Sequence, residues 1–183
     1  MSEFDGERVR ARLLTGGFAK AYERFLGGQA AGDADTTFQA LFETLNWAHA
    51  IDDLIALTWS PRGKVQGYDW RRDPALGGGE TLARVMDGLR YVRNRVHHQW
   101  ADALIVQDGA RLPFTIPRVL ITWVWRPAGE LPSAPKGHAH DGGRAAYEEA
   151  LAGDAVEVAL ATMSETFEFV GSLLDPPIAR RRA

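Results

Sequence analysis

The chain contains no cysteine, which removes disulfide staples, thiolate zinc sites and a cysteine nucleophile at once. The same absence fits a reducing compartment, and the cytoplasm is the expected location. No segment is long and apolar enough to read as membrane-spanning. The opening Met1-Ser2-Glu3-Phe4-Asp5-Gly6 also lacks the basic region and apolar run of a secretion signal. A soluble chain with no membrane partner is expected. Excess charge is scarce too: 21 Lys and Arg against 24 Asp and Glu leave a net charge of −3. No global field therefore draws the chain toward nucleic acid, and any such contact must come from a local basic patch. What is present is apolar matter for one core, since 45% of the 183 residues are hydrophobic.

The apolar residues recur at helical spacing over most of the chain. Glu7 to Phe25 carries Val9, Leu13, Phe18, Tyr22 and Phe25, with a weak point at Gly16-Gly17 and an end at Gly27-Gly28. A second helix, capped by Asp35 or Thr36, holds Phe38, Leu41, Phe42, Leu45, Ala48 and Ile55, and stops at Ser60-Pro61-Arg62-Gly63. Residues 60–79 read as a loop pinned by Tyr68 and Trp70. The third helix opens near Glu80 or Thr81 and aligns Leu82, Val85, Leu89, Val92, Val96, Trp100 and Ala103 on one stripe. Pro113 and Pro117 then resist helix while Val119, Ile121, Trp123 and Trp125 favour strand, which predicts a hairpin or edge ribbon over 112–126. After a Gly- and Pro-bearing loop come a short helix through Tyr147 and Leu151 and a final helix capped by Asp154 and closed by Asp175-Pro176-Pro177. The expected fold is mainly α: an antiparallel bundle of four to five helices with a short β-ribbon. One domain spans 1–175, with the ribbon and its loop inserted at 112–143 and a disordered basic tail at 176–183.

Chemistry concentrates in the third helix, in Arg90-Tyr91-Val92-Arg93-Asn94-Arg95-Val96-His97-His98. A histidine near its working pKa can take a proton from a ribose hydroxyl, and a guanidinium can hold charge that builds on phosphate oxygens. At about 100° per residue, Arg93 lies roughly 50° from the centre of the apolar stripe and His97 about 40° further round. Asn94 and His98 form a second pair four residues apart, with Arg90 on the same side, so the helix offers a polar ledge beside its buried edge. A second copy of the chain packed alongside would turn that ledge into a cleft.

These residues resemble the HEPN superfamily of helical-bundle proteins. Its signature is an arginine, a following polar residue and then a histidine after four to six intervening positions; Arg93-Asn94-Arg95-Val96-His97-His98 matches with four residues between Arg93 and His98. The resemblance implies a metal-independent endoribonuclease that acts as a homodimer with no cofactor. Arg93 and His98 would be catalytic, Asn94 their polar partner, and His97 a second candidate better placed beside Arg93. It further implies a toxin or antiphage role, with an antitoxin or regulatory protein as partner. Arg90 and Arg95 are the candidate substrate contacts. The expected reaction is attack of a 2′-hydroxyl on the adjacent phosphorus, leaving a 2′,3′-cyclic phosphate and a 5′-hydroxyl.

The same residues admit a plainer reading. The cluster could be a structural network ion-paired to Glu43, Asp52 or Asp53, and the chain a catalytically inactive bundle that binds a protein or a nucleotide. Asp52-Asp53 beside His49, and His138-Ala139-His140-Asp141, suggest metal ligands by type. The first pair reads as ordinary helix-surface acids, and the second group as a flexible loop whose spacing suggests no fourth ligand, so no metal is expected. Trp123, Trp125 and Arg126 could stack bases, although aromatics alternating on a ribbon more often cover a core edge. Arg71-Arg72 could contact phosphate or simply be solvated.

Overall fold

The computed structural model describes residues 3–58, 68–96, 99–108, 121–134 and 143–174. The fold is mainly helical, with α1 (Glu3–Ala31), α2 (Ala34–Thr58), α3 (Glu80–Val96), α4 (Arg144–Ala150) and α5 (Val156–Leu174). A two-stranded antiparallel ribbon joins β1 (Leu104–Asp108) to β2 (Ile121–Trp125).

α1 is longer than its glycines suggest. It runs through Gly16-Gly17 and Gly27-Gly28 and ends at Gly32, which sits at φ +72°. The Gly32 amide donates to the Gln29 carbonyl at 3.2 Å and the Asp33 amide to the Gly28 carbonyl at 3.0 Å, which satisfies the last carbonyls of the helix. Gly17 and Gly28 are there for close approach: a Cβ would lie 2.8 Å from the Trp47 ring at Gly17 and 2.5 Å from the Thr37 hydroxyl at Gly28. These two contacts set α1 and α2 side by side and antiparallel. The cap of α2 is Asp33 and not Asp35 or Thr36, because its carboxylate accepts the Thr36 amide at 3.0 Å and the Thr36 hydroxyl at 2.6 Å. One residue thus closes one helix and opens the next.

α5 lies antiparallel along α1. The Phe18 and Phe167 rings meet edge to face at 5.0 Å, and Gln29 bonds Glu157 at 3.2 Å further along. α3 is covered on two sides. Its stripe of Leu82, Val85, Leu89, Val92 and Val96 is buried, and so is Tyr91, roughly 150° away by the 100° turn per residue. The second cover is α4, whose Tyr147 ring approaches Tyr91 at 5.7 Å and whose backbone would meet a Cβ on Gly88 at 3.0 Å.

Two boundaries differ from those read in the sequence. Trp100 and Ala103 leave the third helix for a separate 3₁₀ turn, Trp100–Ala103, that feeds straight into β1. The ribbon therefore begins at Leu104, ahead of the expected 112, and pairs Leu104 with Trp125. It belongs to the core rather than standing apart: Trp125 is fully buried, its ring meets Trp100 at 6.3 Å, and its backbone bonds the Gly153-Asp154 turn before α5. Phe42, expected in the core, is 40% exposed, while Phe38 packs on Trp123. The expected tail at 176–183 and the prolines at 113, 117, 176 and 177 lie outside the described residues. Among the described residues, no helix is long and apolar enough to cross a membrane.

Candidate functional site

The last turns of α3 carry the polar ledge. Arg90 and Arg93 are half-buried and Asn94 is exposed, the order their angles from the apolar stripe demand. His97 and His98 lie outside the described residues, as do His138, His140 and Asp141. Arg95 belongs to a different side of the helix. It donates to the Pro132 carbonyl at 3.2 Å and its guanidinium covers the Tyr91 ring at 4.8 Å. The structure therefore separates Arg95 from the ledge, because Arg95 lies one turn after Tyr91, roughly 140–160° round the helix from Arg90 and Arg93 at 100° per residue.

Arg90 is held by α2. Its Nη2 lies 2.6 Å from Asp52 Oδ2 and 3.7 Å from Asp53 Oδ1. Asp52 occupies a core position, one turn after Ala48 and just before Ile55, and its side chain is 1% exposed. Its other oxygen accepts the Trp70 indole N–H at 2.8 Å. Burial raises the pKa of Asp52 and outweighs the pull of Arg90, Arg71 and the indole hydrogen bond in the other direction. Glu43, the third acid considered for the cluster, pairs with Arg24 on α1 instead.

The connector between α2 and α3 completes the site. In the 3₁₀ turn Trp70–Arg72, Asp69 caps the backbone and Trp70 plunges into the core at 2% exposure. Arg71 is gripped on both edges: Nε and Nη2 donate to Asp69 at 2.7 and 3.1 Å, and Nη1 to Asp87 at 2.6 Å. Arg72 pairs with Asp69 and Glu80. Burial works to raise the Asp69 pKa, but the Arg71 hydrogen bonds and charge prevail and hold it below the ordinary value. Tyr68 donates its hydroxyl to Asp73 at 2.9 Å, and burial together with that acceptor pushes its pKa up to about 12. It remains a phenol at neutral pH.

Between these elements opens a pocket of about 270 Å³, walled by Asp52, Tyr68, Asp69, Trp70, Arg71 and Arg90. Sequence reasoning named Arg90 and Asp52 and treated Arg71 as a solvated charge; it did not bring Trp70 to Asp52. The available signal was an acid at a core position of the second helix, which demands a buried donor. Among the described residues, no three of His, Asp and Glu converge as metal ligands. No family model matches the chain, and neither a curated protein nor a solved structure matches it.

Proposed function

We propose that the chain is a HEPN-like, metal-independent endoribonuclease whose site is the ledge at the end of α3. The observation that supports this reading is that Arg90 and Arg93, half-buried, and Asn94, exposed, lie on the last turns of α3, with His97-His98 following in the sequence. An imidazole there takes the proton of a ribose 2′-hydroxyl, and that oxygen bonds to the adjacent phosphorus. The bond from phosphorus to the 5′ oxygen breaks as the other imidazole, protonated, returns a proton to the leaving oxygen. Arg93 holds the charge on the phosphorane, and Asn94 orients the base. The products are a 2′,3′-cyclic phosphate and a 5′-hydroxyl. A second copy of the chain supplies the facing wall of the groove, an antitoxin or regulatory protein is the proposed partner, and the cytoplasm the proposed location.

Within this reading Arg90 and Arg95 change roles. Arg90 is set by Asp52 and reaches substrate only from that anchored position, while Arg95 secures the segment at Pro132 against α3. The experiment is cleavage of assorted RNAs in EDTA by Arg93→Ala, His98→Ala and Arg95→Ala. Loss of cleavage in the first two folded variants and its retention in the third is the expected result. Undiminished cleavage by Arg93→Ala and His98→Ala overturns the assignment.

A second reading, a catalytically silent helical bundle that binds a protein or a nucleotide, is favoured by one observation: Arg90 of the ledge and Arg95 on the other side of the same helix are both committed to structural partners. Intact RNA after prolonged incubation in chelator, with ligand binding retained, selects it.

A further inference from the structure

The pocket beside Arg90 plays no part in the cleavage chemistry, yet its polar groups are unevenly satisfied. Arg71 is engaged by Asp69 and Asp87, the Tyr68 proton is given to Asp73, and the Trp70 indole N–H is given to Asp52 Oδ1. Two groups remain. Asp52 Oδ2 is buried and accepts no aligned hydrogen bond, although Arg90 Nη2 lies 2.6 Å from it. Arg90 makes its ion pairs with Asp52 and Asp53 through Nη2, and its side chain is 41% exposed. Asp52 Oδ2 thus has the charge of Arg90 beside it but no aligned donor, next to a guanidinium side chain that solvent reaches, and a ligand offering an aligned N–H and a neighbouring acceptor would engage both.

Charge and size narrow what that ligand is. Asp52 and Asp69 balance Arg71 and Arg90 in the wall, so neither an anion nor a cation gains much, and a neutral polar molecule is preferred. The volume of about 270 Å³ falls just below the roughly 300–1,000 Å³ of pockets for drug-sized ligands. A single ring system is the right scale. We propose that this pocket binds the edge of a heterocyclic lactam of the uracil type, its ring N–H donating to Asp52 Oδ2 and its neighbouring C=O accepting from Arg90. The Arg90 guanidinium, 41% exposed and approaching Oδ2 off the hydrogen-bond axis, turns outward to admit the ring and keeps its grip through the carbonyl. Cytosine has no ring N–H on that edge and cannot make the pair.

The inference rests on the nucleotide-binding reading of the chain and is independent of strand cleavage. The lactam could arrive as a free nucleoside or as an unstacked base of an RNA strand. The test is calorimetric titration of the full chain with uridine, N3-methyluridine, cytidine and a non-cleavable 2′-O-methyl oligouridylate. Uridine is expected to bind, and both N3-methyluridine and cytidine to bind about tenfold or more weakly. Arg90→Lys, which keeps the charge at a half-exposed position and loses the planar fork, is expected to weaken uridine by a similar factor. Asp52→Asn tests the acceptor, and Arg90→Lys keeps the test decisive if that variant does not fold. Tighter binding of the oligomer than of uridine indicates a strand as the source, and equal binding a free nucleoside. Uridine and cytidine binding alike, or Arg90→Lys binding uridine like the parent, overturns the lactam pairing while leaving nucleotide binding standing; no binding of any probe overturns both.

Discussion

Replacing Asp52 by alanine is expected to destabilise the fold far more than replacing it by asparagine. In Asp52→Ala the Trp70 indole, on a residue 2% exposed, loses its acceptor, which costs about 1–3 kcal/mol. The Arg90 side chain keeps 41% exposure, so it turns to water and its lost ion pair adds at most about 1 kcal/mol. The sum is about 1–4 kcal/mol. In Asp52→Asn the side-chain carbonyl still accepts from Trp70 and the cost of burying a charge disappears, so the change stays within about 1 kcal/mol. Urea unfolding followed by tryptophan fluorescence separates the two variants by their midpoints. Equal destabilisation of both would refute the reasoning, because the charge pair and not the indole hydrogen bond would then dominate.

The pH profile checks the same site with a definite sign. The Asp52 pKa is raised by burial, so the folded chain holds this proton more tightly than the unfolded one. Its contribution to stability therefore falls as pH rises from the ordinary carboxylate value through the raised folded one. The stability of the parent minus that of Asp52→Asn should decline across this window and be level above it.

Asp69 is expected to act in the opposite sense. Its pKa is lowered, so its contribution is lost as pH falls through the folded value, and Asp69→Asn should flatten that acid limb in urea midpoints taken below the ordinary carboxylate range. Gly16→Ala and Gly27→Ala, with nothing within 4 Å of the added Cβ, should each gain about 0.5–1 kcal/mol of stability in thermal melts. Gly17→Ala, 2.8 Å from the Trp47 ring, should lose about 1–3 kcal/mol in the same melts; a gain there would mean that α1 and α2 are not in close contact. Arg95→Met should lower the melting temperature and leave RNA cleavage unchanged, since its partners are the Pro132 carbonyl and the Tyr91 ring.

Periodicity made the helices legible where one stripe is buried, although in α1 the same rhythm also took in Val9 and Leu13, which are 48% and 68% exposed. The α3 stripe from Leu82 to Val96 is buried as its spacing demands. What the stripe could not convey was the second cover: Tyr91 and Gly88 face α4, which lies more than fifty residues away in sequence. Gly17 and Gly28 misled for a related reason, since a glycine that admits a neighbouring ring looks the same in sequence as one that breaks a helix. The ribbon was readable as strand from its alternating aromatics, but its partner strand follows Trp100 without any turn signal, and the pairing with Leu104 comes from tertiary packing. Of the ledge, Arg90, Arg93 and Asn94 were placed by helical angle alone. The anchoring of Arg90 to Asp52 was anticipated only as one of three acids, because choosing among them requires the register between α2 and α3.

The proposed chemistry is that groups at the end of α3 turn a ribose hydroxyl on its own phosphate without metal. The most direct measurement incubates one RNA and its 2′-O-methyl counterpart with the protein in EDTA and analyses the ends of any fragments. Fragments ending in a 2′,3′-cyclic phosphate from the RNA alone, absent with His98→Ala, are the predicted result. Cleavage of the 2′-O-methyl strand, other end groups, or no cleavage of any RNA by the parent would contradict it.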